Sequence, residues 1–189
     1  QAEPLPSLRA QVLAAAGRYE EAIVDYRALL VDDPTNTQAM RDLATMLIQT
    51  GEEQEGFQVY EQLLQEPTLS GEDLYAIGVG FYQGSAYRRA ANAFRMAGEK
   101  NRYDRDSIEL WARSLQLDSA YADVPEAADR WIELDPSSVT AHLVLAQAVN
   151  AMEDTERTGE VVREMEALEV DVSNLSLTKY GDGGARITG

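Results

Sequence analysis

The residues that could carry out chemistry are few in this sequence. His142 is its one histidine, and there is no cysteine. His142 falls on the apolar stripe of a helical pattern, so we interpret it as a packed structural residue rather than a base or a metal ligand. Without cysteine, disulfides and thiolate metal sites are excluded. We expect no catalytic residue, no metal site and no cofactor.

Two short segments resemble functional motifs by their spacing. Gly78, Gly80 and Gly84 are spaced roughly as in a dinucleotide-binding loop, but they fall on helical positions and no strand precedes them. Ser176-Leu-Thr-Lys179 has the spacing of a serine–lysine hydrolase motif, but it lies in a strand-like segment without the companion motifs. We therefore predict that the protein is not an enzyme.

The charge of the chain limits its partners. Asp and Glu number 33 against 16 Lys and Arg, which gives a net charge of −17. Nucleic acid and anionic membrane surfaces are held by clustered Lys and Arg, and no such cluster occurs. No apolar run approaches the ~18 residues that span a bilayer. We expect a protein or peptide partner, with no nucleic acid and no membrane insertion, and the acidic surface fits either simple solvation or a basic partner.

Similar residue types return along the chain every 34 residues. Asp33-Pro34 and Asp135-Pro136 are three such intervals apart, and two further series follow the same spacing. A fixed period of this size predicts stacked structural repeats. The first series is Ala22, Gly56, Ala90, Val124 and Thr158, and the second is Tyr26, Tyr60, Phe94, Ala128 and Val162.

Each interval contains two apolar stripes of helical period separated by a turn. In the second interval one stripe includes Leu43 and Ala44, Gly51 breaks the helix, and a second stripe includes Gly56 and Tyr60. A small residue such as Ala44 lets the second helix approach closely. Proline after Asp ends the second helix. The pattern predicts pairs of helices stacked side by side.

This pattern resembles the tetratricopeptide repeat (TPR). The segment 17–23 (GRYEEAI), followed by Tyr26, Leu29 and Asp33-Pro34, matches the turn and second helix of that family. The resemblance implies an all-α fold, a right-handed α-solenoid of helix-turn-helix repeats, over residues 1–169. We place the repeats at about 3–36, 37–70, 71–104, 105–138 and 139–169. The last two depart from the family pattern in both series above.

The resemblance also implies where a partner binds, because the first helix of each TPR lines a concave groove. Arg41, Tyr75, Tyr82 and Arg113 would form a line across adjacent repeats, and Tyr and Arg are enriched at binding hot spots. The family's clamp for C-terminal carboxylates needs Lys and Asn where this chain has acidic or uncharged residues, so we expect no such clamp. The predicted groove residues are Gln38, Arg41, Asp42, Thr45, Tyr75, Val79, Tyr82, Glu109, Arg113, Gln116, Gln147 and Asn150.

Residues 170–189 differ in character from the repeats. Apolar and polar residues alternate from Val170 to Leu177, and the glycine-rich segment 181–184 is a turn signal before a second short strand-like run. The segment is either the first hairpin of a truncated β domain or a loosely docked tail. We expect its first part, residues 170–177, to cover the last helix, while the turn at 181–184 projects outward.

These observations predict a non-catalytic scaffold that binds a protein or peptide through the concave groove. The alternative is an assembly module that spaces or oligomerises subunits, with recognition in a further C-terminal domain. We expect a monomer or a weak homo-oligomer. The Gln-Ala-Glu-Pro start suits a processed, exported protein of the bacterial cell envelope or a secreted one, and equally a trimmed chain, so a cytoplasmic location stays open.

Overall fold

The computed structural model describes residues 6–101, 104–169, 177–179 and 183–187. The all-α solenoid class predicted from the sequence is confirmed, with a short strand-like tail. The helices are α1 (Pro6–Ala15), α2 (Tyr19–Asp32), α3 (Thr37–Gln49), α4 (Glu53–Leu63), α5 (Gly71–Gln83), α6 (Tyr87–Lys100), α7 (Arg105–Leu117), α8 (Val124–Leu134), α9 (Val139–Ala151) and α10 (Thr155–Ala167), and the strands are β1 (Leu177–Lys179) and β2 (Ala185–Ile187).

The chain forms two compact units, Gln1–Ala86 and Tyr87–Gly189. In the first unit α1 to α4 pack consecutively and α3 also contacts α5. In the second unit α6 to α10 pack consecutively, α7 also contacts α9, and β2 lies against α10 and α9. The boundary falls inside the predicted third repeat, 71–104, and the division of the chain into five repeats and a separate tail stays a prediction.

The helix ends recur with the same 34-residue interval as the apolar residues. Asn36, Ser70 and Ser138 each begin the first helix of a pair by accepting a hydrogen bond from a backbone N–H of the first turn. This satisfies one of the N–H groups that have no partner within the helix. Where α3 ends, Gly51 takes a left-handed conformation with φ 88°, which turns the chain into the next helix. The equivalent left-handed residues are Gly17, Ser85, Ser119 and Glu153.

The two helices of a pair approach most closely at small residues. An ideal Cβ built on Gly56 of α4 would lie 2.8 Å from the Ala44 carbonyl oxygen of α3 and 2.8 Å from Ile48 Cγ1. Ala44 is itself fully buried. The backbones of α3 and α4 are therefore in direct contact, as the sequence pattern predicts for such a pair.

The tail forms an antiparallel hairpin in which Leu177 lies opposite Ile187. The predicted cover, residues 170–177, lies outside the described residues except for the backbone of Leu177, and Ser176 of the serine–lysine spacing also lies outside them. Instead β2 covers α10, with Ala185 2% exposed. The prediction that the turn projects outward is wrong at Gly183, because its carbonyl oxygen accepts a hydrogen bond from Arg163 of α10.

We predict that Gly56→Ala destabilises the first unit by about 1–3 kcal/mol, the usual cost of overpacking a tight contact. Alanine favours an isolated helix over glycine by about 1 kcal/mol, so a loss of stability would report the contact with Ala44 and not helix propensity. Urea denaturation followed by circular dichroism measures the difference. Gln58→Ala, at an exposed site on the same helix, is the control. An unchanged or raised midpoint for Gly56→Ala would refute the close packing.

Candidate partner-binding surfaces

The predicted groove residues of α3 are joined by hydrogen bonds. Gln38 donates from Nε2 to Asp42 Oδ1 at 2.8 Å and accepts at Oε1 from Arg41 Nη2 at 2.5 Å. Asp42 also accepts from the Tyr26 hydroxyl of α2 at 3.2 Å. Burial raises the pKa of Tyr26, and the neighbouring Asp42 carboxylate raises it further. The tyrosine therefore stays protonated and serves as a donor. Gln38, Arg41 and Asp42 thus form one polar patch whose side chains are held in place by hydrogen bonds.

Arg41 is paired with an acidic residue on the next first helix. Its guanidinium Nη1 donates to Asp73 Oδ1 of α5. Asp73 also forms a capping box with Ser70, since each side chain bonds the backbone N–H of the other residue. The Ser70 hydroxyl and the Arg41 guanidinium hold the pKa of the Asp73 carboxyl below its ordinary value, although partial burial opposes them. The positive charge of Arg41 is therefore balanced within the chain, which sequence reasoning did not anticipate.

Thr45 connects the groove side of α3 to the core. Its hydroxyl lies 2.8 Å from the Tyr60 hydroxyl of α4 and donates to the Arg41 carbonyl oxygen at 2.9 Å. Burial raises the pKa of Tyr60, whose side chain is 1% exposed. Thr45 is half-buried and fixes a core tyrosine, so its role in the structure is at least partly internal.

Tyr75, Val79 and Tyr82 lie on one face of α5, and all three are half-buried. The opposite face of the helix packs into the core, where Phe81 is fully buried and its ring centroid lies 5.5 Å from that of Phe57. Residues i, i+4 and i+7 of a helix share a face. The sequence correctly places these three residues away from the core side, where they form a partly accessible aromatic surface.

In the second unit, the predicted residues of α7 and α9 contact each other and the core. Arg113 pairs with Glu109 at 2.8 Å, and its guanidinium carbon lies 5.9 Å from the centroid of the Trp131 ring, within the range of a cation–π contact. Gln116 donates from Nε2 to Gln147 Oε1 on the next first helix. The two amides join α7 to α9 in the way that Arg41 and Asp73 join α3 to α5.

Asn150 makes a different kind of contact, with the backbone of the tail. Its Nδ2 donates to the Ile187 carbonyl oxygen at 2.9 Å, and its Oδ1 accepts from the Ile187 N–H at 2.7 Å. A predicted groove residue therefore holds both backbone groups of one residue in an extended strand. The sequence analysis assigned Asn150 to the predicted groove and did not connect it with the tail.

A surface pocket of about 500 Å³ in the second unit was not predicted. Trp111 falls on the apolar stripe of α7 in the 34-residue pattern, and it is only half-buried. Trp111 stands two intervals after Leu43 and is much larger than leucine. This difference in side-chain size is the signal in the sequence that could have indicated a pocket. The pocket is lined by Arg95, Gly98, Glu99, Ile108, Trp111 and Arg130 of α6, α7 and α8.

His142 is 3% exposed, and its Nδ1 lies 2.9 Å from the Ser138 carbonyl oxygen one turn earlier in α9. In the described part of the chain, no group of three or more His, Cys, Asp or Glu side chains is arranged to hold a metal ion. Within the same residues, no helix combines the length and hydrophobicity needed to cross a membrane.

No protein-family model matches the chain, and no curated relative matches it. Solved structures do. YrrB, described as a TPR protein with an unusual peptide-binding site, is 17% identical and superposes with a TM-score of 0.63 over 88% of this chain and 86% of its own. A structure of MamA, 17% identical, superposes with a TM-score of 0.62 over 90% of this chain and 93% of its own. The chain has the tetratricopeptide-repeat fold.

We predict that Asp73→Ala lowers the free energy of unfolding by about 0.5–2 kcal/mol at neutral pH, as for the loss of a helix cap. Because the pKa of Asp73 is lowered by folding, its contribution is complete above the unfolded-state pKa and is lost as the pH falls through the folded-state pKa. The difference between variant and wild type should therefore shrink in acid. Urea denaturation at neutral pH and near pH 3 measures it.

Glu72→Ala, at the exposed neighbouring position in the same first turn, is the matched control. It removes a charge near the helix N-terminus without removing the capping box. A difference between Asp73→Ala and wild type that stays constant with pH would contradict an ionised, hydrogen-bonded Asp73.

Proposed function

We propose that this protein is a non-catalytic interaction scaffold that binds a protein or peptide segment, through the exposed faces of α3 and α5 in the first unit or those of α7 and α9 in the second. The observation that carries this proposal is the aromatic face of α5. Tyr75, Val79 and Tyr82 keep part of their surface accessible although the helix has a complete core face on its other side. Such amphipathic rings supply contact area at a low entropic cost.

The surroundings of this face favour a segment of peptide over a small molecule. On α3, in the same unit, Gln38 and Gln49 are exposed amides, and the charge of Arg41 is already matched by Asp73. A surface of amides and aromatic rings without excess cationic charge suits backbone groups and apolar side chains better than a free carboxylate. A structural neighbour described as having a peptide-binding site supports the same use of the fold here.

An assembly role is the alternative, and one observation favours it. Val12 of α1 is 59% exposed, whereas the residue 34 positions later, Met46, is 8% exposed, and Leu8 one turn before Val12 is 51% exposed. The outer face of α1 thus presents apolar side chains that neighbouring helices cover elsewhere. A module that associates through this face would space or oligomerise subunits.

Substitution on α5 tests the scaffold proposal. A partner captured with the wild-type chain should bind Tyr75→Ala and Tyr82→Ala about tenfold more weakly each, the loss expected for a hot-spot aromatic residue. We expect a smaller loss for Arg113→Ala, because its guanidinium is already engaged by Glu109 and Trp131. Titration calorimetry measures the affinities. Arg18→Ala, at an exposed site where α2 begins, is the control. Unchanged affinity in all three variants would exclude these helix faces.

Sedimentation velocity of wild type and Val12→Glu tests the assembly alternative. If α1 mediates association, the wild-type chain should sediment as a concentration-dependent oligomer and the variant as a monomer. Val24→Glu, at a 64% exposed position of α2, is the matched control. A monomer for the wild-type chain over the accessible concentration range would remove the alternative.

A further inference from the structure

The side chain of Asn150 recognises an extended backbone. Its amide bonds both the N–H and the C=O of Ile187, at 2.7 and 2.9 Å. The two groups of one strand residue point to the same side of the strand, so a single amide side chain can satisfy both. This contact depends on the extended conformation and not on the side chain of the bound residue.

The surface of α10 is shaped to admit a backbone. A Cβ on Gly159 would lie 2.9 Å from Gly184 Cα and 3.0 Å from Ala185 N, so any larger residue there would displace the strand. Arg163, one turn later, donates from Nη1 to the Gly183 carbonyl oxygen at 2.5 Å. Gly183 takes φ 94°, a left-handed conformation that favours glycine.

The side chains of β2 meet three different environments. Ala185 is 2% exposed, and its backbone nitrogen lies close to Gly159 of α10. Ile187 packs against the apolar cluster of the second unit. Arg186 points to the opposite face and lies 3.4 Å from the carboxylate of Glu153. The successive side chains of β2 are thus small and buried, basic and exposed, and aliphatic and half-buried.

From these contacts we propose that α9 and α10 form a binding site for an extended peptide segment of the pattern glycine, small, basic, aliphatic, and that β2 is its intramolecular ligand. A partner segment of the same pattern occupies this site by replacing β2. The site takes its affinity from backbone contacts with Asn150 and Arg163 and its specificity from Gly159, Glu153 and the apolar cluster.

The attachment of β2 to the chain decides when a partner can replace it. A short tether holds a segment at an effective concentration of about millimolar, so even a weak site is occupied from within the chain. A hairpin of two three-residue strands is marginal in water and adds little stability of its own. A partner segment therefore displaces β2 once the ratio of its concentration to its own Kd exceeds the ratio of the effective concentration of β2 to the Kd of β2.

This site is separate from the aromatic face of α5, which lies in the other unit. Its failure would leave the proposed function of α5 untouched, and the reverse also holds, because the substitutions that test the two share no residue.

The test uses a fluorescently labelled peptide of residues 181–189, GDGGARITG, and the full chain carrying Ala185→Glu and Ile187→Asp, which releases its own β2. Fluorescence anisotropy should show that this variant binds the peptide at least tenfold more tightly than the wild-type chain, whose own β2 competes. Adding Asn150→Ala should weaken binding about tenfold, and adding Gly159→Ala should abolish it. Asn92→Ala, on the exposed face of α6, is the matched control and should leave binding unchanged.

A second measurement keeps the wild-type chain intact. Millimolar unlabelled peptide should accelerate hydrogen exchange at the Ile187 amide, which Asn150 protects, and should leave the Val149 amide inside α9 unchanged. Absence of peptide binding by a release variant with an unaltered helical spectrum, or equal binding with and without Asn150, would overturn the proposal. A wild-type dimer that Asn150→Ala converts to a monomer would assign the site to a second copy and overturn the intramolecular assignment.

Discussion

The contact between the two backbones of a helix pair is the constraint on which the other features depend. Gly56 lies so close to the Ala44 carbonyl oxygen that a methyl group does not fit between them. Close packing on this side commits one stripe of each helix to the core, and the remaining surface is free to vary. On α5 this leaves Tyr75 and Tyr82 partly accessible while Phe81 is buried. The candidate binding surface is therefore the part of each first helix that packing does not use.

The same constraint explains why the fold could be predicted from the sequence. Small residues at a fixed interval, together with Asp-Pro endings, determine the helix pairs and their order. Left-handed turns could be predicted only in part. Gly51 indicates one directly, but Ser119 and Glu153 adopt the same positive φ without glycine. At those positions the tight turn between two packed helices imposes the conformation against the residue's own preference, so the repeat and not the residue type carries the information.

The site was predicted less completely because its key contacts connect residues that are distant in sequence. Helical spacing assigns Arg41 and Asn150 to the predicted groove. It does not reveal that Arg41 forms an ion pair with Asp73, 32 positions away. Nor does it reveal that the Asn150 amide bonds the backbone of Ile187, 37 positions away. In both cases a side chain read as available to a partner is engaged within the chain. Periodicity specifies which way a residue faces, whereas its partner depends on the packing of other elements.

In the tail, the contact that covers the outer edge of β2 is also the contact by which Asn150 recognises an extended backbone. An unpaired strand edge can pair with strands of other chains. In β2, β1 pairs with one edge, and Asn150 bonds the backbone of Ile187 at the other. On the last helix, Val161, Val162 and Met165 are at most 1% exposed, whereas Leu168 at its end is 40% exposed. Backbone atoms make the contacts to Gly159 and Arg163 of α10, while the side chains of β2 meet Glu153 and the apolar cluster. Because Asn150 and Arg163 bond backbone atoms, α9 and α10 can bind a replacement strand without moving relative to each other.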